Sequence, residues 1–445
     1  MSVTGFDPVA DPGAWGPLHT GGRARRAWWR AGYVLACVSV AGLVASSAVG
    51  ALLVRKAESN LTRVSVSALD TPLTDGGPLS VLVVGSDARE GLTESERREL
   101  TLGSFDGQRS DTIILVTVDP ASETVSVVSF PRDLRVDDQS GRRRKLTETY
   151  ISGPDGLVEV IRSNFDLPVN HFVEVSISGF IETVRAIGSV RLCLDEPLVD
   201  RKSGADFEAG CQELSPEQAL AYVRSRQGPR GDFERIERQQ EFMRAMLAQL
   251  VDARVLLDVP RLARVVEQVA TNVVTDDGLT LGRMRRLSEE LRSVASGDVP
   301  MVTIPSYPRT LDDGKSYVLP YGPGADALFA AIRAGEPIPP RGDADQRADT
   351  RVALWTGGRS GGAAIVEGTI AFAGYRPVPA GSGPLDAGGA TVVYVVPGRE
   401  EQATWIAGLL GAEAFALPPG IDPPDGADVV VAVGDDATDD ITAQP

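Results

Sequence analysis

Thr112-Ile113-Ile114-Leu115-Val116-Thr117-Val118 decides the fold. Its four consecutive apolar residues ignore the in/out alternation of a half-buried strand, so the strand is covered on both faces, as in an α/β layer structure. Two more apolar strands flank it, Val81–Val84 before and Thr124–Phe130 after. Charged residues sit at one end of each: Asp87 and Arg89 after the first, Arg109 and Asp111 before the second, Arg132 and Asp133 after the third. Loops at strand ends bind ligands in such folds. Two carboxylates among several arginines at one rim point to a divalent cation with a phosphate, because oxygen ligands hold Mg²⁺ and the guanidinium fork matches phosphate oxygens.

The 445 residues are 42% hydrophobic, which is material for two or three domains with cores of their own. A formal net charge of −17 argues against general binding to nucleic acid or an anionic surface, since the long-range field repels polyanions. Of the 44 basic residues only Lys56, Lys145, Lys202 and Lys315 are lysines. A GC-rich genome explains that bias as well as phosphate recognition does, so arginines inform only where they cluster. His19 and His171 are too few, outside the N-terminal tail, for a His-based metal site or a Ser-His-Asp triad. His171, just before the strand-like Phe172–Ile177, reads as structural.

Residues 1–30 are rich in Gly, Pro and Ala, carry Arg23, Arg25, Arg26 and Arg30, and include Trp28-Trp29 near their end. This is the pattern of a disordered tail closing on a membrane-interface anchor. Ala31 to Val54 is uncharged; as a helix it would span about 36 Å, against a bilayer core of about 30 Å. Four arginines precede it and only Arg55 and Lys56 follow closely, so the positive-inside rule predicts a single-pass protein with a cytoplasmic N-terminus and the rest outside. A cleaved signal sequence is the other reading.

Residues 55–78 read as a polar linker, 79–335 as the main domain, 336–350 as a Pro-rich linker, 351–435 as a smaller α/β unit and 436–445 as an acidic tail. Within the main domain, the insertion Glu90–Gln108 starts a helix at Thr93, with Glu96 closing a capping box. Helices are expected from Lys145 on through Gly156–Asn164, and over Ser178–Ile187, Val259–Val274 and Leu281–Val294; Pro305–Gly324 reads as coil. The alternation of strand and helix predicts an α/β sandwich. In the smaller unit, strands Val352–Leu354, Thr391–Val396 and Val429–Val433 alternate with helices Ala363–Ala373 and Glu400–Leu410. Its Gly357-Gly358-Arg359-Ser360-Gly361-Gly362 run is a weak phosphate signal, and no GxxxxGK[ST] pattern occurs.

Cys193 and Cys211 are the cysteines outside the apolar run, where Cys37 sits. An even pair in an exported chain points to a disulfide; two unrelated buried thiols are the alternative. Ser215-Pro216-Glu217-Gln218 is a helix start with a capping box and a first-turn proline, and that helix delivers Arg224 and Arg226 at its end. Asp232 then caps a helix over Phe233–Leu250, on which Arg235, Arg238 and Gln239 form a stripe that Phe242 and Met246 continue. A face that turns from cationic to apolar suits an amphiphile, with its anionic head at the first turn and its hydrocarbon beside the next. An ordinary core stripe would explain Phe242 and Met246 but not the arginines. Arg142-Arg143-Arg144 reads as a solvated loop.

Val84-Gly85-Ser86-Asp87-Ala88-Arg89, Arg109-Ser110-Asp111-Thr112, Phe130-Pro131-Arg132-Asp133, Tyr222-Val223-Arg224-Ser225-Arg226 and Asp232-Phe233-Glu234-Arg235-Ile236-Glu237-Arg238-Gln239-Gln240 together resemble the LytR-CpsA-Psr family. The likeness covers about Leu79 to Leu250, and more weakly extends to about Gly335. The anchor and the cysteine pair are similar to those of members from high-GC Gram-positive bacteria. The smaller unit resembles the LytR C-terminal domain, with Trp355-Thr356-Gly357-Gly358 in place of its Asn-Gly-Ser-Gly turn.

The resemblance implies a three-layer α/β/α domain around a central mixed sheet. It also implies a phosphotransferase that moves a glycan phosphate from a polyprenyl pyrophosphate carrier to a peptidoglycan hydroxyl. Carried over by motif, Asp87 and Asp111 would hold Mg²⁺ or Mn²⁺. Arg109, Arg132, Arg224, Arg235 and Arg238 would grip the pyrophosphate with Gln239 beside them. Lys145 stands at the family's basic position, with Thr147 where the family has Asn. Arg89 and Arg226 complete the expected pyrophosphate contacts, and Phe242 and Met246 are expected to meet the lipid.

Elementary chemistry agrees with this expectation, since phosphoryl transfer needs positioning and charge neutralisation more than covalent participation. The acceptor hydroxyl would be the nucleophile. Asp133 reads as a base or as the ion-pair partner that orients Arg132, and the second role is favoured. Two alternatives remain: a hydrolase of polyprenyl pyrophosphates, in which water replaces the acceptor, and a non-catalytic envelope anchor or regulator that grips the same lipid. The expected partners are the lipid-linked glycan, peptidoglycan and the membrane, without nucleic acid.

Overall fold

A computed structural model describes residues 61–70, 78–88, 93–100, 110–122, 124–228, 230–251, 272–280, 283, 299–358 and 360–438. The expected tail and membrane span over residues 1–54, Arg89, Arg109 and nearly all of the two helices expected between 259 and 294 lie outside these residues. Among the described residues no helix is long and apolar enough to cross a membrane.

Seven strands make the central sheet: β1 (Thr62–Val64), β2 (Leu79–Ser86), β3 (Ser110–Asp119), β4 (Thr124–Phe130), β5 (His171–Val175), β6 (Val273–Asp276) and β7 (Met301–Thr303), in the order β1-β6-β5-β2-β3-β4-β7. The middle is an antiparallel meander of β2, β3 and β4, while β5 joins β2 and β7 joins β4 in parallel. The sheet is therefore mixed, as expected. The longer helices are α1 (Pro154–Phe165), α2 (Ile177–Ile187), α3 (Pro216–Arg224), α4 (Asp232–Val251), α5 (Gly322–Ala334), α6 (Ser360–Phe372) and α7 (Glu400–Leu410).

Both faces of the apolar strands are used. Leu82, Ile113, Leu115 and Phe172 join Leu157 and Ile161 of α1 and Leu328 and Phe329 of α5 in one core. On the opposite face Ile114, Val127 and Met301 pack with Met243 of α4. The uninterrupted run Ile113–Val116 thus buries every second residue against a different helical layer. His171 is structural, as expected: it is 1% exposed, and its Nδ1 lies 3.1 Å from Oδ2 of Asp276. Asp276 also accepts from the amides of Phe172 and Gly278, which staples β5 to β6.

Several expectations are corrected. The linker before residue 79 contributes β1, paired in parallel with β6, and Val273–Val274 belong to β6 rather than to a helix. The helix expected to run on from Lys145 is broken: residues Leu146–Thr149 make one short turn, and α1 starts only after Gly153, whose φ of +86° suits a residue without a side chain. Pro305–Gly324 is not coil. Strands Ser306–Thr310 and Ser316–Pro320 form an antiparallel hairpin, and α5 follows with Pro323 in its first turn. Proline and glycine content misled here, because Pro308 sits in a two-stranded hairpin, where a missing amide is tolerated. The expected linker after 335 contains a helix, Ala344–Asp349, capped reciprocally by Asp343 and Gln346, and it buries Ile338 in the main core.

The C-terminal module is a five-stranded sheet of β8 (Arg351–Trp355), β9 (Arg376–Pro379), β10 (Val392–Val395), β11 (Glu413–Ala416) and β12 (Val429–Ala432), ordered β9-β8-β12-β10-β11. The sequence reading missed β9 and β11, which are the two edges of this sheet. The hairpin of the main domain reaches into the module's core: Tyr307, Tyr317, Leu319 and Tyr321 cluster there with Val352, Ile370 and Leu409.

Cys193 and Cys211 form a disulfide between directly facing positions of the antiparallel strands Val190–Leu194 and Gly210–Leu214. Reduction is expected to lower unfolding stability by about 3 kcal/mol, the chain-entropy cost of opening a loop of roughly this size. Urea denaturation with and without reductant measures it; coincident curves would remove the disulfide from the account of stability.

Candidate active site

The rim at the end of β2 and the start of β3 is shaped by a break in register. Gly85 pairs with Thr112 but Ser86 pairs with Ser110, so Asp111 is an extra residue in β3 without a partner. A bulge of this kind re-aims a side chain that the pleat would have fixed. Only a residue without Cβ fits beside it, because a Cβ on Gly85 would come within 2.9 Å of Thr112 Cβ. Asp87 follows Ser86 directly at the same rim.

Arg132 stands on a loop held at three points. The amide of Leu134 donates to Pro131 O, that of Thr147 to Arg132 O, and that of Val318 to Asp133 O. At the far end of α3, Ser225 is fully buried and, with the Arg226 amide, donates to Asp200 Oδ2 at 3.0 Å, which fixes the turn carrying Arg224 and Arg226. Helix α4 then supplies Asp232, Arg235, Arg238 and Gln239 from its first two turns.

These elements converge on one charged cluster. Arg132 Nη1 donates to Asp111 Oδ1 at 2.6 Å, and Arg235 Nη1 lies 3.7 Å from the same oxygen. Arg235 Nη2 also donates to Asp111 O at 2.9 Å and reaches the Asp232 carboxylate at 3.0 Å. Asp232 Oδ1 further meets Arg132 Nε at 3.5 Å and Arg226 Nε at 3.4 Å. Asp133 lies between Arg132 (3.9 Å) and Lys145 (3.3 Å). In these contacts four cations meet three carboxylates. Among the described residues the buried Nε atoms of Arg132 and Arg235 have no hydrogen-bond partner, so these donors remain to be offered.

Burial opposes ionisation of Asp111, but Arg235 and Arg132 outweigh it and hold the carboxyl below its ordinary range. Arg235, 3% exposed, is pushed down to about 10 by burial and by the neighbouring Arg226 and Arg132, against the pull of Asp232 and Asp111. A carboxylate of lowered pKa contributes its stability fully above its unfolded value, about 3.9, and loses it as pH falls through the lower folded value. Thermal unfolding is therefore expected to lose the Asp111 contribution only below about pH 4, and Asp111→Asn to flatten that acid limb. An unchanged acid limb in the variant would show that Asp111 is not the titrating group.

The structure brings together Asp111, Arg132, Asp133, Lys145, Arg226 and Arg235 of the expected set. Three others fasten backbone nearby: Arg238 donates to Ser225 O and Gln227 O, Gln239 to Val223 O, and Arg224 to Leu100 O. Phe242 is 2% exposed in an apolar cluster, its ring 5.5 Å from that of Phe180, and Met246 packs half-buried against the same cluster. Sequence reasoning missed Asp232, read only as a helix cap, and Asp200, read as nothing. Asp232 had a signal in its place at the head of the arginine stripe. Asp200 had none, because its partner lies 26 residues away.

Residues 45–333 match the LytR_cpsA_psr family. The chain belongs to it. Among relatives of the family, the cell wall biosynthesis protein LcpA of Corynebacterium glutamicum is 31% identical over 309 residues, covering 61% of this chain and 59% of that protein. The polyisoprenyl-teichoic acid--peptidoglycan teichoic acid transferase TagV of Bacillus subtilis is 34% identical over 186 residues, covering 39% of this chain and 47% of TagV. The chain thus spans less than two thirds of the length of either relative. Among solved structures, the LytR-Csp2A-Psr enzyme from Actinomyces oris superposes with a TM-score of 0.50 at 24% identity, covering 61% of this chain and 95% of that one, a likeness of fold.

Proposed function

We propose that this protein is a phosphotransferase that moves a glycan phosphate from a polyprenyl pyrophosphate to a hydroxyl of peptidoglycan, outside the cytoplasm. The observation that carries the reading is the convergence of Arg132 and Arg235 on Asp111 within a cluster of four cations. Such a cluster suits a diphosphate, whose oxygens accept from the guanidinium forks as charge develops in the transition state. The acceptor hydroxyl attacks the glycan-bearing phosphorus as the bond to polyprenyl phosphate breaks. Asp133, between Arg132 and Lys145, serves to orient both.

The donor set fits Mg²⁺ or Mn²⁺. Among the described residues the hydrogen bond to the Asp111 carboxylate falls on Oδ1 and none reaches Oδ2, and no group of three acidic, His or Cys side chains forms a closed cage. A hard cation that takes one or two carboxylates and completes its shell with water and phosphate oxygens matches this. Asp111 and Asp87 would hold it, and it would neutralise phosphate charge.

The Cys193–Cys211 disulfide supports an oxidising, extracytoplasmic location, and the uncharged run Ala31–Val54 supports a membrane anchor with the N-terminus inside. We read residues 351–435 as a LytR C-terminal-like domain. Apolar Phe242 and Met246, one and two turns beyond the arginines on α4, are the side chains we assign to the lipid side of the site.

The test supplies purified protein with a prenyl pyrophosphate-linked disaccharide, MgCl₂ and peptidoglycan, and measures prenyl phosphate release and sugar attachment. Attachment that requires both acceptor and metal is expected. Release without attachment makes the protein a hydrolase, and neither product makes it a non-catalytic binder.

A further inference from the structure

Helix α4 carries two stripes. Asp232, Arg235 and Gln239 lie on the side of the charged cluster. Phe233, Glu237 and Gln240, spaced by four and three residues, lie on the other. The C-terminal module and the strap that leads to it close on this second stripe. Arg347, from the strap helix Ala344–Asp349, ion-pairs with Glu237, and Arg230 just ahead of α4 grips the same carboxylate through both terminal nitrogens, at 2.6 and 3.1 Å. Arg230 also donates to the carbonyl of Phe372, the last residue of α6, at 3.4 Å, and Arg347 to Gly342 O at 2.8 Å. The rings of Phe233 and Phe372 are in contact. Gly374 lets the two guanidiniums approach: a Cβ there would meet Arg230 Nη1 at 3.0 Å and Arg347 Nε at 3.3 Å. Between Phe233, Glu237, Gln240, Arg341 and Arg347 remains a cavity of about 20 Å³, room for one water. The module is therefore seated on the helix rather than tethered near it.

We propose that Glu237, clamped by Arg347 and Arg230, is a positioning residue: through it the C-terminal module sets where Arg235 and its neighbours stand in the charged cluster. The inference rests on the transferase reading above. The physical ground is that Arg235 is fixed to the same two turns as Glu237. Rotation or translation of the helix start moves both, and misplacement of about 1 Å at a reacting centre can cost roughly 10²-fold in rate.

The experiment uses full-length Glu237→Gln, Arg347→Gln and their double variant, with farnesyl pyrophosphate as probe, release of inorganic phosphate as readout, and Tyr375→Phe and Arg132→Ala as controls. Each clamp variant is expected to lower kcat at least about tenfold with KM changed less than about twofold. The double variant should be no worse than Glu237→Gln alone, because Glu237→Gln has already broken the ion pair that Arg347→Gln removes. Tyr375→Phe removes a hydrogen bond to Arg341 O at the same boundary without touching α4, and it should leave kcat as in wild type. Equal loss in Tyr375→Phe, or unchanged kcat in both clamp variants, overturns the proposal. Arg347→Gln removes only the strap's side of the clamp and decides the matter should Glu237→Gln not fold. If Arg132→Ala also retains full activity, the transferase reading itself fails; if Arg132→Ala is inactive while the clamp variants are not, only the positioning role falls.

Discussion

Asp111→Ala is expected to lower prenyl phosphate release by about 10²–10³-fold, the range found when one preorganised electrostatic group is removed from a reacting centre. Arg132 and Arg235 both meet Asp111 Oδ1, and Oδ2, which no described residue bonds, is the oxygen we assign to the metal. Loss of the side chain releases the first arginine and removes the second acceptor at once. Stability should suffer far less. Asp111 is 39% exposed, so its ion pairs are screened, and Arg235 keeps Asp232 at 3.0 Å. A cost of about 1 kcal/mol is the expectation for such a pair. Rate and thermal midpoint measured on the same preparation separate the two effects. A variant that melts like wild type and turns over like wild type would remove Asp111 from the reaction.

The second large effect is expected from ending the chain after Gly335. Tyr307, Tyr317, Leu319 and Tyr321 are each at most 6% exposed, and they are buried among side chains of the C-terminal module. A side chain of that size contributes about 1.5–3 kcal/mol when buried, so exposing four loses about 6–12 kcal/mol. Whole domains are stable by about 5–15 kcal/mol. The shortened protein should therefore aggregate or melt without a cooperative transition. A truncated chain with the melting curve of the full one would show that the module folds beside the main domain without supporting it.

The central strands could be read directly because a strand covered on both faces needs an unbroken apolar run, and Ile113–Val116 is one. The α3 cap could be read for a similar reason: Ser215, Pro216 and Gln218 act within one turn, and the reciprocal bonds are present at 3.2 and 2.9 Å. What stayed hidden depends on contacts distant in sequence. β1 is three residues long and exists through β6, more than 200 residues away. The hairpin Ser306–Pro320 looked like coil because its buried tyrosines are covered by a unit that follows it in the chain. At the site, the charged residues were visible as strand-end clusters, but their pairing was not. Of the partners of Asp232, Arg235 three residues on along α4 is encoded by spacing, but Arg132 and Arg226 reach it from two loops, and no spacing encodes that.

Strand β3 is one residue longer than its neighbour requires. A chain lacking residue 111 would knit its ladder past Gly85 without interruption, and Asp232 alone would be left for the three guanidiniums to gather around. The usefulness of this sheet lies in a misfit: the surplus residue that interrupts the ladder is what turns a carboxylate toward the rim.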